Sequence, residues 1–405
     1  MIIQYQGQKV NHQLNFIDGS GETYYTDTKT PQNAVHRRIA ELLMEVTVMW
    51  ATLILLSAVV LAVGSVWLTT RVAKFGFIRS KVKSKTVGVL IGLAVIAVFF
   101  ALFCLLLGMM NALVIFLNII AIWLICEAVA LIYRKILKKE RTRYICGIVA
   151  VCVSAVYLTV GYFFAVHVFR TEYNIGSSKD VSLKIVGFSD SHIGAVFSGK
   201  KLGEYVERIN GEAPDIVVIV GDFVDDGTTE KDMRDACEAL GKLKAGKGVY
   251  FVFGNHDGGY MRRSYGSDEL VRCLEENGVQ VLRDTVVSPT DGVSVIGRKD
   301  KGDRSRKAIS ELIENGTGYS IVLDHQPNDY SAEAEAGADL VISGHTHGGQ
   351  LLPIIFVGEL IGANDATYGH EKRGSTDFIV SSGIADWELI FKTGCLSEYF
   401  VINVN

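Results

Sequence analysis

The sequence predicts an α/β domain, two packed sheets in a sandwich with helices outside, preceded by four transmembrane α-helices. Three observations carry this expectation. The second half of the 405-residue chain alternates short apolar runs with stretches of helical spacing, as layered α/β folds do. The first half contains uncharged stretches longer than globular cores usually offer. Mean hydropathy is +0.27 with 49% hydrophobic residues, high for a chain lying wholly in water.

Residues 1–45 are polar and show no sustained apolar period, with turn-forming Asp18-Gly19-Ser20-Gly21 and Thr30-Pro31-Gln32-Asn33. They read as a weakly ordered N-terminal tail ending in a short amphipathic helix from Ala34 to Met44. The segment lacks the basic start and small-residue cleavage site of a signal peptide.

Residues 46–169 read as the membrane region. Val46 to Thr70 is uncharged and long enough to cross a bilayer of about 30 Å. Thr86 to Cys126 must fold into two spans around a tight turn near Gly108-Met109-Met110-Asn111, and Ile145 to Phe169 supplies the fourth. Glu127, about two helical turns from a basic loop, reads as an acid that snorkels or pairs with that loop. Cys104, Cys126, Cys146 and Cys152 act there as small apolar residues, and the odd set Cys237, Cys273 and Cys395 argues against a disulfide framework.

Charge sets the orientation. Arg71, Lys74, Arg79, Lys81, Lys83 and Lys85 follow the first span; Arg134, Lys135, Lys138, Lys139, Arg141 and Arg143 follow the third. Basic loops stay in the cytoplasm, so this multi-pass cell-membrane chain is expected to carry its tail and its C-terminal domain outside the cytoplasm. Residues 1–169 hold 16 Lys and Arg against 7 Asp and Glu, which leaves −13 for the rest of a chain of net −4. So acidic a domain, without a basic stripe interleaved with aromatics, is not expected to bind nucleic acid.

Residues 170–179 read as a linker and 180–405 as the soluble domain. Helical spacing runs over Leu202–Asn210, Lys231–Leu243, Asp268–Glu276 and Arg306–Ile313. Val279–Leu282, Thr285–Val287 and Val293–Val295 read as short strands, and Phe378–Ser381 and Glu398–Asn403 as edge or returning strands of a second sheet.

Five further strand-like runs each end in a loop that carries a metal-ligand side chain. Ser189-Asp190-Ser191-His192 follows Leu183–Gly187, and Gly221-Asp222 follows Ile216–Val220. Gly254-Asn255-His256-Asp257 follows Val249–Phe253, Asp324-His325 follows Tyr319–Leu323, and Gly344-His345-Thr346-His347-Gly348-Gly349-Gln350 follows Ala338–Ile342. Ligands collect outside the carboxyl ends of strands in such sheets. Five of the nine histidines sit in these loops.

The ordered set D-x-H, G-D, G-N-H-D, H and G-H-x-H resembles the calcineurin-like metallophosphoesterase family over about Asp180 to the C-terminus. Within it the chain looks most like the membrane-tethered bacterial branch with a G-H-T-H-G-G-Q loop. The resemblance implies a two-metal phosphoesterase, with Asp190, His192 and His347 on one ion. Asn255, His325 and His345 would hold the other, with Asp222 bridging and His256 near the leaving group; no ligand is missing.

Two divalent ions roughly 3.5–4 Å apart can bind both non-bridging phosphoryl oxygens and turn a shared water into hydroxide near neutral pH. Mixed imidazole, carboxylate and amide ligation suits manganese, iron or zinc. His256, beside a ligand but not needed as one, can donate a proton to the leaving oxygen. Asp257 is placed to orient His256 or to cap the next turn. Arg262 and Arg263, just after this loop, are expected to hold a distal anion of the substrate.

The expected function is a membrane-anchored, metal-dependent hydrolase of phosphoric esters or anhydrides, with small-molecule or lipid-linked substrates. A phosphodiester or lipid-linked pyrophosphate is the expected class. The competing expectation is a membrane sensor whose metal domain binds a phosphorylated ligand without turnover.

Overall fold

A computed structural model describes residues 15–17, 23–25, 52, 55–137, 144–259, 263–313 and 318–405. The expected helix at Ala34–Met44 lies outside them, as does most of the polar tail. The chain divides into two compact units, residues 1–97 and 98–405. In the first, strands β1 (Asn15–Ile17) and β2 (Thr23–Tyr25) pair antiparallel.

Four helices are long and apolar enough to cross a membrane: α1 (Leu55–Val72), α2 (Lys85–Leu107), α3 (Met109–Leu137) and α4 (Ile145–Val166). Exposed large apolar side chains stud α2 and α3 along their length. A single residue, Gly108, separates these two helices, with φ of 84° that only glycine adopts at no cost. Glu127 accepts a 2.6 Å bond from the Tyr144 hydroxyl just before α4; residues 138–143 of the basic loop lie outside the described residues.

The segment read as a linker differs from expectation. Strand β3 (Val168–Ile175) begins one residue after α4 and pairs in parallel with β14 (Ser397–Val404). Exposed Arg170, Glu172 and Asn174 alternate with its covered positions, which is why the sequence reads there as a polar linker. Beyond β3 run β4 (Leu183–Phe188), β5 (Ile216–Val220), β6 (Val249–Val252) and β7 (Gln280–Leu282). The first sheet has the order β3-β14-β4-β5-β6-β7. Thus β14, expected in the second sheet, sits inside the first.

The second sheet comprises β8 (Thr285–Thr290), β9 (Val293–Gly297), β10 (Tyr319–Leu323), β11 (Leu340–Ser343), β12 (Gly369–Arg373) and β13 (Thr376–Val380). Its order is β12-β13-β11-β10-β9-β8. Ile185, Val218 and Phe400 of the first sheet pack with Val295, Ile321 and Ile342 of the second in one buried core. Alternate residues of the first sheet, such as Val186, Val217 and Phe251, face outward onto α5 (Gly199–Gly211), α6 (Glu230–Leu240) and α7 (Ser267–Glu276). Strands buried on both faces read as continuous apolar runs, as Ile216–Val220 does.

On the far side, Val322, Val341 and Phe378 meet Ile309 and Tyr330, the latter on the short helix α8 (Tyr330–Glu335). The helix expected at Arg306–Ile313 is only a 3₁₀ turn, Ile309–Glu311. Its would-be first residue is drawn inward instead, where Arg306 and Arg298 engage the buried Asp324. The layers are therefore helix, sheet, sheet, helix.

Candidate metal centre

Four loops at the carboxyl ends of β4, β5, β10 and β11 bring the expected Asp and His ligands together, two from each sheet, and Asn255 stands in a fifth loop, after β6. Asp190, His192 and His347 present ligand atoms all within 4.8 Å of one another, and Asp222, His325 and His345 do the same. The two groups meet at Asp222, whose Oδ2 lies 3.8 Å from His192 Nε2 and 3.1 Å from His325 Nε2. One carboxylate thus faces both sets. Asp190, His192, Asp222 and His325 are buried.

The local backbone is bent to achieve this. Asp190, His192, Asp222, His345 and His347 all adopt positive φ, from 37° to 71°, a region that costs a non-glycine residue of order 1–3 kcal/mol. The motif glycines make room for the ligands: a Cβ on Gly254 would stand 2.2 Å from Asp222 Oδ1, and one on Gly344 2.4 Å from Asp190 Oδ2. Backbone bonds aim the carboxylates. His256 N–H donates to Asp222 Oδ1 at 2.8 Å, and His345 N–H donates to both Asp190 oxygens at 3.0 Å.

The donor set fits divalent cations. His192 Nε2 and Asn255 Oδ1 are buried, and neither makes a hydrogen bond within the protein; a buried polar atom left so is costly unless something else takes it. His325 Nδ1 lies 2.9 Å from the Val220 carbonyl, which fixes the ring with Nε2 inward, as metal-bound histidines are usually held. Burial pushes His345 down to about 4, so it offers a neutral ring. Burial also disfavours charge on His325, but the Asp222 carboxylate outweighs it and raises His325 well above the ordinary histidine range.

His256 extends toward the same centre, its ring 5.0 Å from that of His192. Its Nδ1 is 3.8 Å from Asp225 Oδ1, and Asp225 Oδ2 is 3.5 Å from His192 Nδ1. Asp225 was not among the sequence candidates; its signal was a second carboxylate three residues after Asp222 in the same loop. Asp257 is fully buried and accepts backbone N–H bonds from Phe223, Val224 and Gly254. It ties two ligand loops together, a role other than orienting His256 or capping the next turn. Arg263 donates to the Asp257 carbonyl and its guanidinium stands 5.0 Å from the Tyr265 ring. Arg262 lies outside the described residues.

Two groups without any sequence signal complete the surroundings. Asp386 Oδ1 is 3.4 Å from His347 Nδ1 and 3.2 Å from Lys392 Nζ, and both Asp386 and Lys392 are fully buried. Lys392 also donates to the carbonyls of Ser382 and Ala385.

Residues 183–349 match the family described as calcineurin-like phosphoesterase. Over 229 residues the chain is 29% identical to an uncharacterized metallophosphoesterase of Campylobacter jejuni, covering 55% of this chain and 59% of that protein. Over 217 residues it is 31% identical to the uncharacterized metallophosphoesterase YkuE of Bacillus subtilis, covering 50% of this chain and 71% of the relative. Over 195 residues it is 33% identical to a transmembrane protein with metallophosphoesterase domain of Danio rerio, covering 44% and 43%. The chain therefore spans between 43% and 71% of the length of these relatives.

Proposed function

This chain belongs to the calcineurin-like phosphoesterase family, and from that premise we propose that it is a membrane-anchored, dinuclear-metal hydrolase of phosphoric esters or anhydrides. The observation that carries the reading is Asp222, whose carboxylate faces a histidine of each ligand group. In this reading Asp190, His192 and His347 hold one cation, Asn255, His325 and His345 the other, and Asp222 is shared. Manganese, iron and zinc suit this mixed donor set. Bound there, such cations polarise phosphoryl oxygens and activate water.

The protein's own side chains do the rest. His256, half-buried at the mouth and disfavoured as a cation by its burial, moves a proton to or from the leaving oxygen. Asp225 faces its Nδ1 and holds the ring's orientation. Asp257 keeps the Asp222 and Asn255 loops in register through its three backbone bonds.

Membrane anchoring is supported by the four apolar helices and by the transmembrane relative. The turn between α2 and α3 and the catalytic loops lie on one side: Asn111 donates to the Glu388 carbonyl at 2.8 Å and accepts from Ile390 N–H at 2.9 Å. With the basic loops cytoplasmic, the metal centre then faces away from the cytoplasm. Phosphodiesters and lipid-linked pyrophosphates are the substrates this reading favours.

The test is turnover by the detergent-solubilised full chain of an aryl phosphomonoester, an aryl phosphodiester and a lipid pyrophosphate, each with manganese, iron or zinc. Turnover of at least one is expected, with none by Asp222→Asn. Binding of a phosphorylated compound without any turnover would make the chain a sensor instead.

A further inference from the structure

We propose that a hydrocarbon chain of the substrate lies in a groove between α4 and the catalytic domain, beside an apolar platform, Leu352–Ile361, embedded in the lipid. The proposal rests on the hydrolase reading and names the substrate class of the same centre: a phosphoester amphiphile drawn from the bilayer.

The groove has a volume of about 490 Å³ and is lined by Val153, Val156, Tyr157, Val160 and Phe164 of α4 together with Thr393. That volume is within the roughly 300–1,000 Å³ of small-molecule sites. Its walls are almost wholly apolar, and Val156 leaves 63% of its surface uncovered. The loop 391–394 closes it by sitting directly on the helix. Lys392 N–H donates to the Gly161 carbonyl, and a Cβ on Gly161 would stand 2.7 Å from Thr393 Cγ2.

The groove's position selects its occupant. Tyr157 lies nine residues before the end of α4, roughly 14 Å along a helix rising 1.5 Å per residue. Half of a hydrocarbon core of about 30 Å has that depth. An apolar wall there meets acyl or isoprenoid chains rather than a soluble protein.

The platform continues the same surface toward the metal centre. Leu352 adjoins α4, where the Tyr157 hydroxyl donates to Thr393 Oγ1 at 2.8 Å and to the Leu352 carbonyl at 3.3 Å. From there Ile354, Phe356 and Leu360 expose 54%, 62% and 85% of their surfaces. Single exposed apolar residues are ordinary, but a contiguous set marks a binding or membrane face. The segment begins two residues after Gln350, which closes the His345 and His347 loop; on the other flank the exposed Trp387 stands 5.4 Å from the His256 ring. Exposed apolar side chains, with the exposed Glu359 among them, therefore follow the chain from a residue held against a span to one end of the metal-centre loops.

The test places the full chain in lipid nanodiscs with manganese and a hexadecyl phosphate carrying a diazirine at the chain end; crosslinks are mapped by mass spectrometry. Label is expected to concentrate in peptides covering Val153–Phe164 and Leu352–Ile361, above that on α2. Combined Val156→Trp and Val160→Trp should lower the groove label about tenfold, the effect of displacing two buried methylenes. Leu360→Glu, at the outermost platform position, should lower the platform label independently. EDTA should lower both by releasing the phosphate. Label spread evenly over the spans, or unchanged by both variants and by EDTA, overturns the proposal. Aryl phosphodiester turnover by the same wild-type preparation is read separately. Its absence counts against the hydrolase reading, while the crosslinks still decide the groove.

Discussion

Nδ1 of His347 stands 3.4 Å from the carboxylate of Asp386, and that carboxylate is itself 3.2 Å from the ammonium of Lys392. All three groups are screened from water, so the ring of a candidate metal ligand is oriented by a fixed charge rather than by solvent. Partners of this kind set the tautomer and direction of a metal-bound histidine.

Asp386→Asn is therefore expected to weaken one of the two cations by about 10–100-fold, that held with Asp190 and His192, while the other remains. Metal content by elemental analysis after dialysis against graded chelator reads this without recourse to activity. Equal loss of both ions would show that Asp386 supports the loop, not the ligand.

His256→Gln should lower kcat by about 10²–10⁴-fold, the range for removal of a general acid, with both metals retained. The loss should shrink for aryl esters whose leaving group needs no proton. Uniform loss across leaving groups would assign His256 to binding.

Asp257→Ala should destabilise the domain. It leaves three buried backbone N–H groups without acceptor, each costing about 1–3 kcal/mol. Thermal unfolding of the purified chain measures this, and a Tm within about one or two degrees of wild type, roughly what a change of 0.5 kcal/mol gives a domain of this size, would contradict it.

Metal affinity should rise with pH. The Asp222 carboxylate holds a proton on His325 above the usual range, and a cation must displace that proton to bind Nε2. Isothermal titration in buffers of different ionisation enthalpy should show proton release on binding, larger at the acid end. Binding without proton release would mean His325 is already neutral.

Much of the centre was legible because metal ligation uses few residue types and these sit where apolar strands stop. Ile216–Val220 followed by Gly221-Asp222 announces both the strand and its cargo. The ligand residues keep that signal even though their backbone φ values are unusual, since chemistry rather than propensity selects them. Asp386 and Lys392 were invisible for the opposite reason: they lie in an irregular segment, and a buried ion pair has no period. Strand β3 was missed because an edge strand with exposed Arg170, Glu172 and Asn174 alternating against partly covered neighbours looks like a polar linker. Arg306 reads as helical in the sequence because its partner, Asp324 at the end of β10, is brought to it only by the tertiary fold.

With His167 alone between α4 and β3, the catalytic body cannot swing on a tether. Where α4 spans a bilayer as proposed, its reach would be set like a gauge fixed to a post, at a constant height relative to the hydrocarbon. Molecules would then be sorted by the distance between their scissile phosphorus and their anchor, and inserting flexible residues after His167 would blur that sorting before it touched the chemistry.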